Sequence, residues 1–108
     1  MVREISSMAE FKQAIGENKL TLVDYFATWC GPCRFIAPHL EKMEVEMPDV
    51  QFIKVDVDKV PDVAAFAEIS AMPTFIFYRA GKKVESLVGA DPARLLDMAR
   101  AMRNQVTA

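Results

Sequence analysis

The only two cysteines of the chain, Cys30 and Cys33, are separated by Gly31 and Pro32. Thiols at this spacing can form a permanent structural disulfide, supply half of a metal site, or open and close as a redox pair. A bridge across so short a loop stabilises by only about 2 kcal/mol in the chain-entropy model, against about 3 kcal/mol for a fifteen-residue loop. Zinc prefers four protein ligands, or three in a catalytic site, and the chain offers no further cysteine and one histidine, His39. We therefore favour a redox pair, with a structural bridge or an intermolecular metal site as the alternatives.

A single charge interrupts an otherwise apolar segment just before the cysteines. The segment Leu20–Phe26 (LTLVDYF) predicts a central strand, and Asp24 is its one charged residue. Burying an ionised carboxylate is costly, so burial raises its pKa toward neutrality, where it can exchange protons near pH 7. Asp24 is therefore a candidate proton carrier, unless the strand lies at a sheet edge and the carboxylate faces solvent.

The composition narrows the class of protein. With 108 residues, of which 52% are hydrophobic and 26% charged, residues 1–108 are expected to form one globular domain. A net charge of -2 with scattered basic residues argues against a nucleic-acid-binding surface. No apolar run approaches the roughly 20 residues of a membrane-spanning helix.

The first residues, MVREISSMAEF, lack the apolar stretch of a secretory signal. We therefore expect a cytoplasmic location, where permanent disulfides are rare, although a mature organellar protein would look the same.

The elements that must position these residues alternate in type. Apolar and alternating runs predict strands at Val2–Ile5, Leu20–Phe26, Val50–Val57, Thr74–Arg79 and Lys82–Val88. Helical spacing and capping residues predict helices after Ser7 (with Glu10 completing a capping box), from Cys33 to about Met47, around Asp62–Glu68 and after Asp91. The order βαβαβαββα predicts an α/β fold in which four helices flank a mixed five-stranded sheet, with parallel strands first and an antiparallel hairpin supplying edge strands last.

The helix after the cysteines gives the two thiols different surroundings. Cys30 is expected at its N-terminus, where free backbone N–H groups and the helix dipole favour an anion and lower the thiol pKa. Cys33 lies one turn further along and is expected to be more buried, with a higher pKa. Cys30 is therefore the expected nucleophile and Cys33 the expected resolving thiol. Pro38, in the same helix, is expected to kink it.

These residues together resemble the thioredoxin family. The resemblance extends over nearly the whole chain and rests on WCGPC after a strand and on landmarks in the same order: Asp24, Pro38, Lys54, MPT at Met72–Thr74, Gly81 and VGA at Val88–Ala90. It implies the thioredoxin fold and a protein-disulfide reductase. Such a protein would cycle between a dithiol and a Cys30–Cys33 disulfide through a mixed disulfide with its substrate.

The resemblance also implies roles for the residues behind the cysteines. Asp24 would accept the proton of Cys33, and Lys54 would tune Asp24, with a solvated surface lysine as the alternative. Gly31 and Pro32 would set a reducing potential. The rival within the same chemistry is an oxidant or isomerase.

A substrate-binding surface is implied in front of the cysteines. The Met72-Pro73 bond is expected to be cis and to present backbone to a substrate strand. An apolar rim would consist of Trp29, Met72, Pro73, Val88, Gly89 and Ala90. The alternatives are core packing for Trp29, simple gap filling for Met72, and a plain turn for Gly89.

The implied partners are proteins. We expect no bound cofactor and no metal, with electrons arriving from NADPH through a thioredoxin reductase and leaving to disulfide-containing protein substrates. The protein is expected to be a monomer. Redox-dependent binding of regulatory partners is a possible additional role.

Overall fold

The computed structural model describes residues 1–105, and all of the predicted elements occur there in the predicted order. The strands are β1 (Arg3–Glu4), β2 (Thr21–Phe26), β3 (Gln51–Asp56), β4 (Thr74–Arg79) and β5 (Lys82–Val88). The helices are α1 (Met8–Ile15), α2 (Gly31–Glu46), α3 (Pro61–Phe66) and α4 (Pro92–Arg103). Observed and predicted ends differ by a residue or two, as is usual where helices and strands fray.

The strands form one mixed sheet in the order β1-β3-β2-β4-β5. β3 is parallel to both β1 and β2, while β4 is antiparallel to both β2 and β5. The prediction that both strands of the closing hairpin lie at an edge is wrong, because β4 lies between β2 and β5. Nearly all of β4 is buried, which suits an interior strand, whereas β5 begins with the exposed Lys82 and Lys83, which discourage further pairing at an edge.

Helices cover both faces of the sheet. α2 and α4 pack on one face around Ile36, Leu40 and Leu95, and α1 and α3 pack on the other around Phe11 and Val63. Alternate residues of β2, β3 and β4 contribute to the two apolar clusters, as the pleat of a strand requires. β2 is thus a central strand covered on both sides, and its C-terminal end leads directly into the cysteine segment.

The helix ends are set by side chains near them. Ser7 caps α1, its hydroxyl accepting from the backbone N–H of Glu10 at 3.1 Å. The Glu10 carboxylate accepts from the backbone N–H of Ser6 at 2.8 Å, so the expected capping box closes one residue earlier than Ser7. α2 continues through Pro38 to Glu46. Within residues 1–105, no helix combines the length and apolar character needed to cross a membrane.

The chain's two tyrosines meet inside the α1/α3 side of the core. The hydroxyl groups of Tyr25 and Tyr78 lie 2.8 Å apart, and the ring of Phe11 contacts both rings edge-on. Each hydroxyl thus has a partner although both side chains are buried. Burial raises the pKa of both tyrosines above the usual 10.0.

Candidate active site

Cys30 and Cys33 are joined by a disulfide at the start of α2. Cys30 is the N-cap residue, and its sulfur accepts a hydrogen bond from the backbone N–H of Cys33 at 3.2 Å. This N–H and the helix dipole both favour a negative charge on the Cys30 sulfur when the disulfide opens. Gly31 and Pro32 form the exposed first turn of the helix.

The burial of the two cysteines differs less than the sequence suggests. In this disulfide form Cys30 is 5% exposed and Cys33 is 4% exposed. What distinguishes them is their surroundings: Cys30 lies beside the Met72 carbonyl, whereas Cys33 lines a cavity that also contains Asp24. The predicted asymmetry between the thiols therefore depends on the neighbours of each sulfur.

A cis peptide bond lies next to Cys30. The Met72-Pro73 bond is cis, which confirms the prediction, and the Cys30 sulfur lies 3.7 Å from the Met72 carbonyl oxygen. The half-buried Met72 side chain packs against the small cluster formed by Ala27, Cys30 and Cys33. The backbone N–H of Gly89 donates to the Pro73 carbonyl at 2.9 Å, and Gly89 has a φ of 102°, which a glycine adopts without strain. A backbone hydrogen bond therefore links Gly89 directly to the cis-proline segment.

The remaining rim residues lie at different depths. Val88 is 64% exposed and pairs with Thr74 at the end of β5. Ala90 is half-buried and packs against the core beneath α2 and α4. Among the predicted rim residues, Trp29 and Val88 are therefore the ones with a largely exposed apolar side chain.

Trp29 lies on the surface. Its side chain is 65% exposed, so the alternative of core packing is wrong. The indole Nε1 donates to Oδ2 of Asp58 at 2.9 Å. Asp58 has no distinctive signature in the sequence, because it is an exposed aspartate in a loop; the only hint is the spacing of Asp56 and Asp58 at the end of a strand.

Asp24 is buried behind the disulfide. It is 5% exposed on the central strand β2, so the alternative of an edge-strand carboxylate facing solvent is wrong. Within residues 1–105, its Oδ1 is a buried side-chain oxygen without a hydrogen-bond partner. Burial raises the pKa of Asp24 to about 7, and the positive charge of Lys54 partly offsets that effect.

A cavity connects Asp24 with Cys33. It has a volume of about 280 Å³ and is lined by Asp24, Phe26, Ala27, Thr28, Cys33, Arg34, Ala37 and Lys54. Ala37, on α2, is exposed at this cavity. A groove of similar size between α2 and α4, about 290 Å³, contains none of the predicted site residues. The cavity lined by Asp24 and Cys33 is large enough to hold water between the carboxylate and the thiol.

Lys54 is held beside this cavity. It is directly opposite Asp24 in the register of β2 and β3, and it is half-buried, which disfavours the alternative of a freely solvated lysine. Its Nζ lies 5.7 Å from the centre of the Phe26 ring. In the part of the chain that the structure describes, Lys54 and Asp24 form no ion pair within 4.0 Å. Lys54 is therefore close enough to influence the Asp24 carboxylate by its charge, without a direct ion pair.

Metal ligands do not gather around the cysteines. Across residues 1–105, no three or more histidine, cysteine, aspartate or glutamate residues are arranged as a possible metal site. His39, the chain's one histidine, is exposed on α2, and its ring is tilted by 49° against that of Phe35 with ring centres 5.6 Å apart.

Known proteins share this arrangement of elements and sequence. A protein-family model described as Thioredoxin matches residues 2–101. Thioredoxin-2 of Saccharomyces cerevisiae is 51% identical over 96 residues, covering 88% of this chain and 92% of that protein. Mitochondrial thioredoxin-3 of the same yeast is 40% identical over 94 residues, covering 87% of this chain and 74% of that protein. The solved thioredoxin of Plasmodium falciparum superposes with a TM-score of 0.90 at 42% identity, covering 93% of this chain and 98% of that one.

Proposed function

The chain belongs to the thioredoxin family and is a thiol–disulfide oxidoreductase that reduces protein disulfides, and from this we propose how its site residues divide the reaction. The observation that carries the proposal is the placement of the disulfide. One sulfur caps a helix beside a cis-proline segment, and the other shares a cavity with a buried carboxylate.

The first step is attack by Cys30. In the reduced protein the N-terminus of α2 stabilises the Cys30 thiolate, which attacks one sulfur of a substrate disulfide. The substrate disulfide breaks, a Cys30–substrate disulfide forms, and one substrate sulfur leaves as a thiolate that takes a proton from water. The backbone around Met72-Pro73 and the exposed Trp29 and Val88 hold the substrate segment during this step.

The second step is resolution by Cys33. Asp24, ionised and facing the same cavity, accepts the Cys33 proton through water in the cavity. The Cys33 thiolate attacks the Cys30 sulfur, forms the Cys30–Cys33 disulfide and releases the second substrate thiolate. Two electrons have then passed from the cysteine pair to the substrate, and the protein is in the disulfide form described here. Lys54 keeps the Asp24 pKa from rising further, and Gly31 and Pro32 keep the pair reducing.

A separate protein must restore the dithiol. We infer that no cofactor is bound and that electrons come from NADPH through a thioredoxin reductase, as the family membership supports. The protein acts as a monomer on disulfide-containing proteins. We place it in the cytoplasm; the similarity to a mitochondrial relative makes that organelle the competing location.

Reduction of insulin tests the proposed activity. Dithiothreitol, or NADPH with a thioredoxin reductase, should let the protein accelerate precipitation of reduced insulin chains. Absence of acceleration in both assays would contradict the proposal. The reduction potential of the pair distinguishes a reductase from an oxidant, and we expect a value near those of reducing thioredoxins, about -270 mV.

Trapping variants test the assignment of the two cysteines. Cys33→Ser cannot complete the second step and should accumulate mixed disulfides through Cys30 when incubated with disulfide-containing proteins. Cys30→Ser is the matched control, since it removes the attacking thiol and leaves the resolving one. Equal trapping by both variants would show that the roles are assigned wrongly.

A further inference from the structure

Trp29 and Asp58 form a surface pair directly beside the attacking cysteine. The indole is 65% exposed, precedes Cys30 in the chain, and is tied to Oδ2 of Asp58 by a hydrogen bond of 2.9 Å. This bond fixes the orientation of an otherwise free aromatic ring and places a carboxylate at its edge. The mechanism above uses the apolar surface of Trp29 but leaves the charge of Asp58 without a role.

Hydrogen bonds to the buried side chain of Asp56 fix the loop that carries Asp58. Asp56 is 2% exposed at the end of β3, and its Oδ1 accepts from the backbone N–H of Asp58 at 2.9 Å and of Lys59 at 3.4 Å. A turn closed by a buried aspartate side chain restricts the backbone of the residues it spans. The Asp58 carboxylate is therefore positioned in advance, as a recognition group needs to be.

The negative charge of Asp58 is available to a partner. Its neighbour Lys59 pairs with Glu4 at 3.7 Å, and the guanidinium of Arg34 donates to the Thr28 carbonyl at 3.0 Å. Within residues 1–105, no lysine or arginine forms an ion pair with Asp58. Its Oδ2 accepts from the indole, and Oδ1 has acceptor capacity to spare.

We propose that Trp29 and Asp58 together bind an arginine or lysine side chain next to the target cysteine of a substrate, which makes Asp58 a specificity-determining residue. An exposed indole face attracts a cation, and a carboxylate at its edge adds a charge-assisted hydrogen bond, which an arginine makes best. The inference rests on the proposed function, because it concerns the substrate of the Cys30 thiolate. It adds a preference for basic residues flanking the disulfide.

The test compares three disulfide-linked peptides that differ only in the residue beside the cysteine, which is arginine, glutamine or glutamate. At low salt we expect kcat/KM to fall in that order, with the arginine peptide about tenfold better than the glutamate peptide. Raising the salt concentration should reduce that ratio, since exposed charges are screened. Reduction of all three peptides at the same rate would overturn the inference, whereas reduction of none would contradict the proposed function instead.

Charge and position are separated by two substitutions of Asp58. Asp58→Asn keeps an oxygen acceptor for the indole N–H, so the fluorescence of Trp29 should be unchanged while the arginine-to-glutamate ratio falls to about twofold. Asp58→Ala also removes the acceptor and should change the fluorescence. Asp62→Asn is the matched control, because it removes the same charge from an exposed position on α3. A ratio unchanged in Asp58→Asn, or lowered equally in Asp62→Asn, would overturn the inference.

Discussion

The burial of Asp24 has two opposing consequences. Its burial on β2 raises its pKa to about 7 from a usual 3.8, which suits a proton acceptor at neutral pH. The same burial destabilises the folded chain whenever the group is ionised. Because the folded-state pKa is the higher one, the contribution of Asp24 to stability is fully present below about pH 4 and is lost progressively as the pH rises through 7.

Asp24→Asn is expected to separate these effects. The variant has no charge to bury, so we expect it to be more stable than the parent by about 3 kcal/mol at pH 8, and the advantage should shrink toward pH 4. It also lacks the proton acceptor, so release of substrate from the mixed disulfide should slow about tenfold. Urea unfolding at the two pH values and single-turnover reduction measure the two effects. An equal stability difference at both pH values would contradict the burial of the charge.

Lys54→Gln tests whether Lys54 acts on Asp24 through space. The lysine charge lowers the pKa of Asp24, so its removal should move the midpoint of the pH dependence of resolution to higher pH, by up to about one unit. Lys42→Gln, at an exposed position of α2 away from the cavity, is the control and should leave the midpoint in place. A midpoint that does not move in Lys54→Gln would leave Lys54 with only a packing role.

The turn between β4 and β5 depends on a backbone conformation that glycine favours. Ala80 and Gly81 have φ angles of 52° and 82°, as in the turns that join antiparallel strands with two residues. A Cβ added at Gly81 would meet no atom within 4 Å, so the left-handed backbone alone opposes a side chain there. A substitution of Gly81 therefore measures the free-energy cost of the left-handed backbone conformation without a steric clash.

Gly81→Ala is expected to destabilise the protein by about 1 kcal/mol. Gly31→Ala is the matched control for stability, because its added Cβ also meets no atom within 4 Å while its φ is not in the left-handed region. Alanine at that position in α2 should be neutral or slightly stabilising. Urea unfolding of both variants measures the difference, and equal stabilities would show that the turn does not need glycine.

Local sequence patterns predict where the helices and strands of this fold lie better than they predict which strands are neighbours in the sheet. Capping residues and apolar spacing located all nine elements to within a residue or two, because those signals are local. The interior position of β4 was missed, since which strands pair is decided by burial on both faces and not by any signal within the hairpin.

The site residues that could be predicted are those whose residue type is unusual at their position in the sequence. The cysteine pair, the charge at Asp24 and the segment around Met72-Pro73 are visible in the sequence because each is unusual where it occurs. Asp58 is an ordinary loop aspartate, and only the folded chain brings it to Trp29. Contacts between distant segments of this kind leave no local trace.

The two apolar clusters should not unfold separately. Because β2, β3 and β4 contribute alternate side chains to both clusters, losing one helix layer exposes strands that the other layer needs. We therefore expect residues 1–108 to unfold in one cooperative transition, with a free energy of about 5–15 kcal/mol. Urea midpoints from circular dichroism and from Trp29 fluorescence should coincide, and separated midpoints would reveal independent units.

The buried tyrosine pair gives the molecule a second optical signal, distinct from its tryptophan. Tyr25 and Tyr78 are the only tyrosines, and burial raises the pKa of both. Their contribution to stability is therefore present below pH 10 and is lost as the pH rises above it. Formation of tyrosinate, followed by ultraviolet absorbance, should be abrupt and coincide with alkaline unfolding; gradual titration in the folded protein would contradict their burial. Absorbance at high pH thus reports on the core, while the single tryptophan reports on the surface beside Cys30.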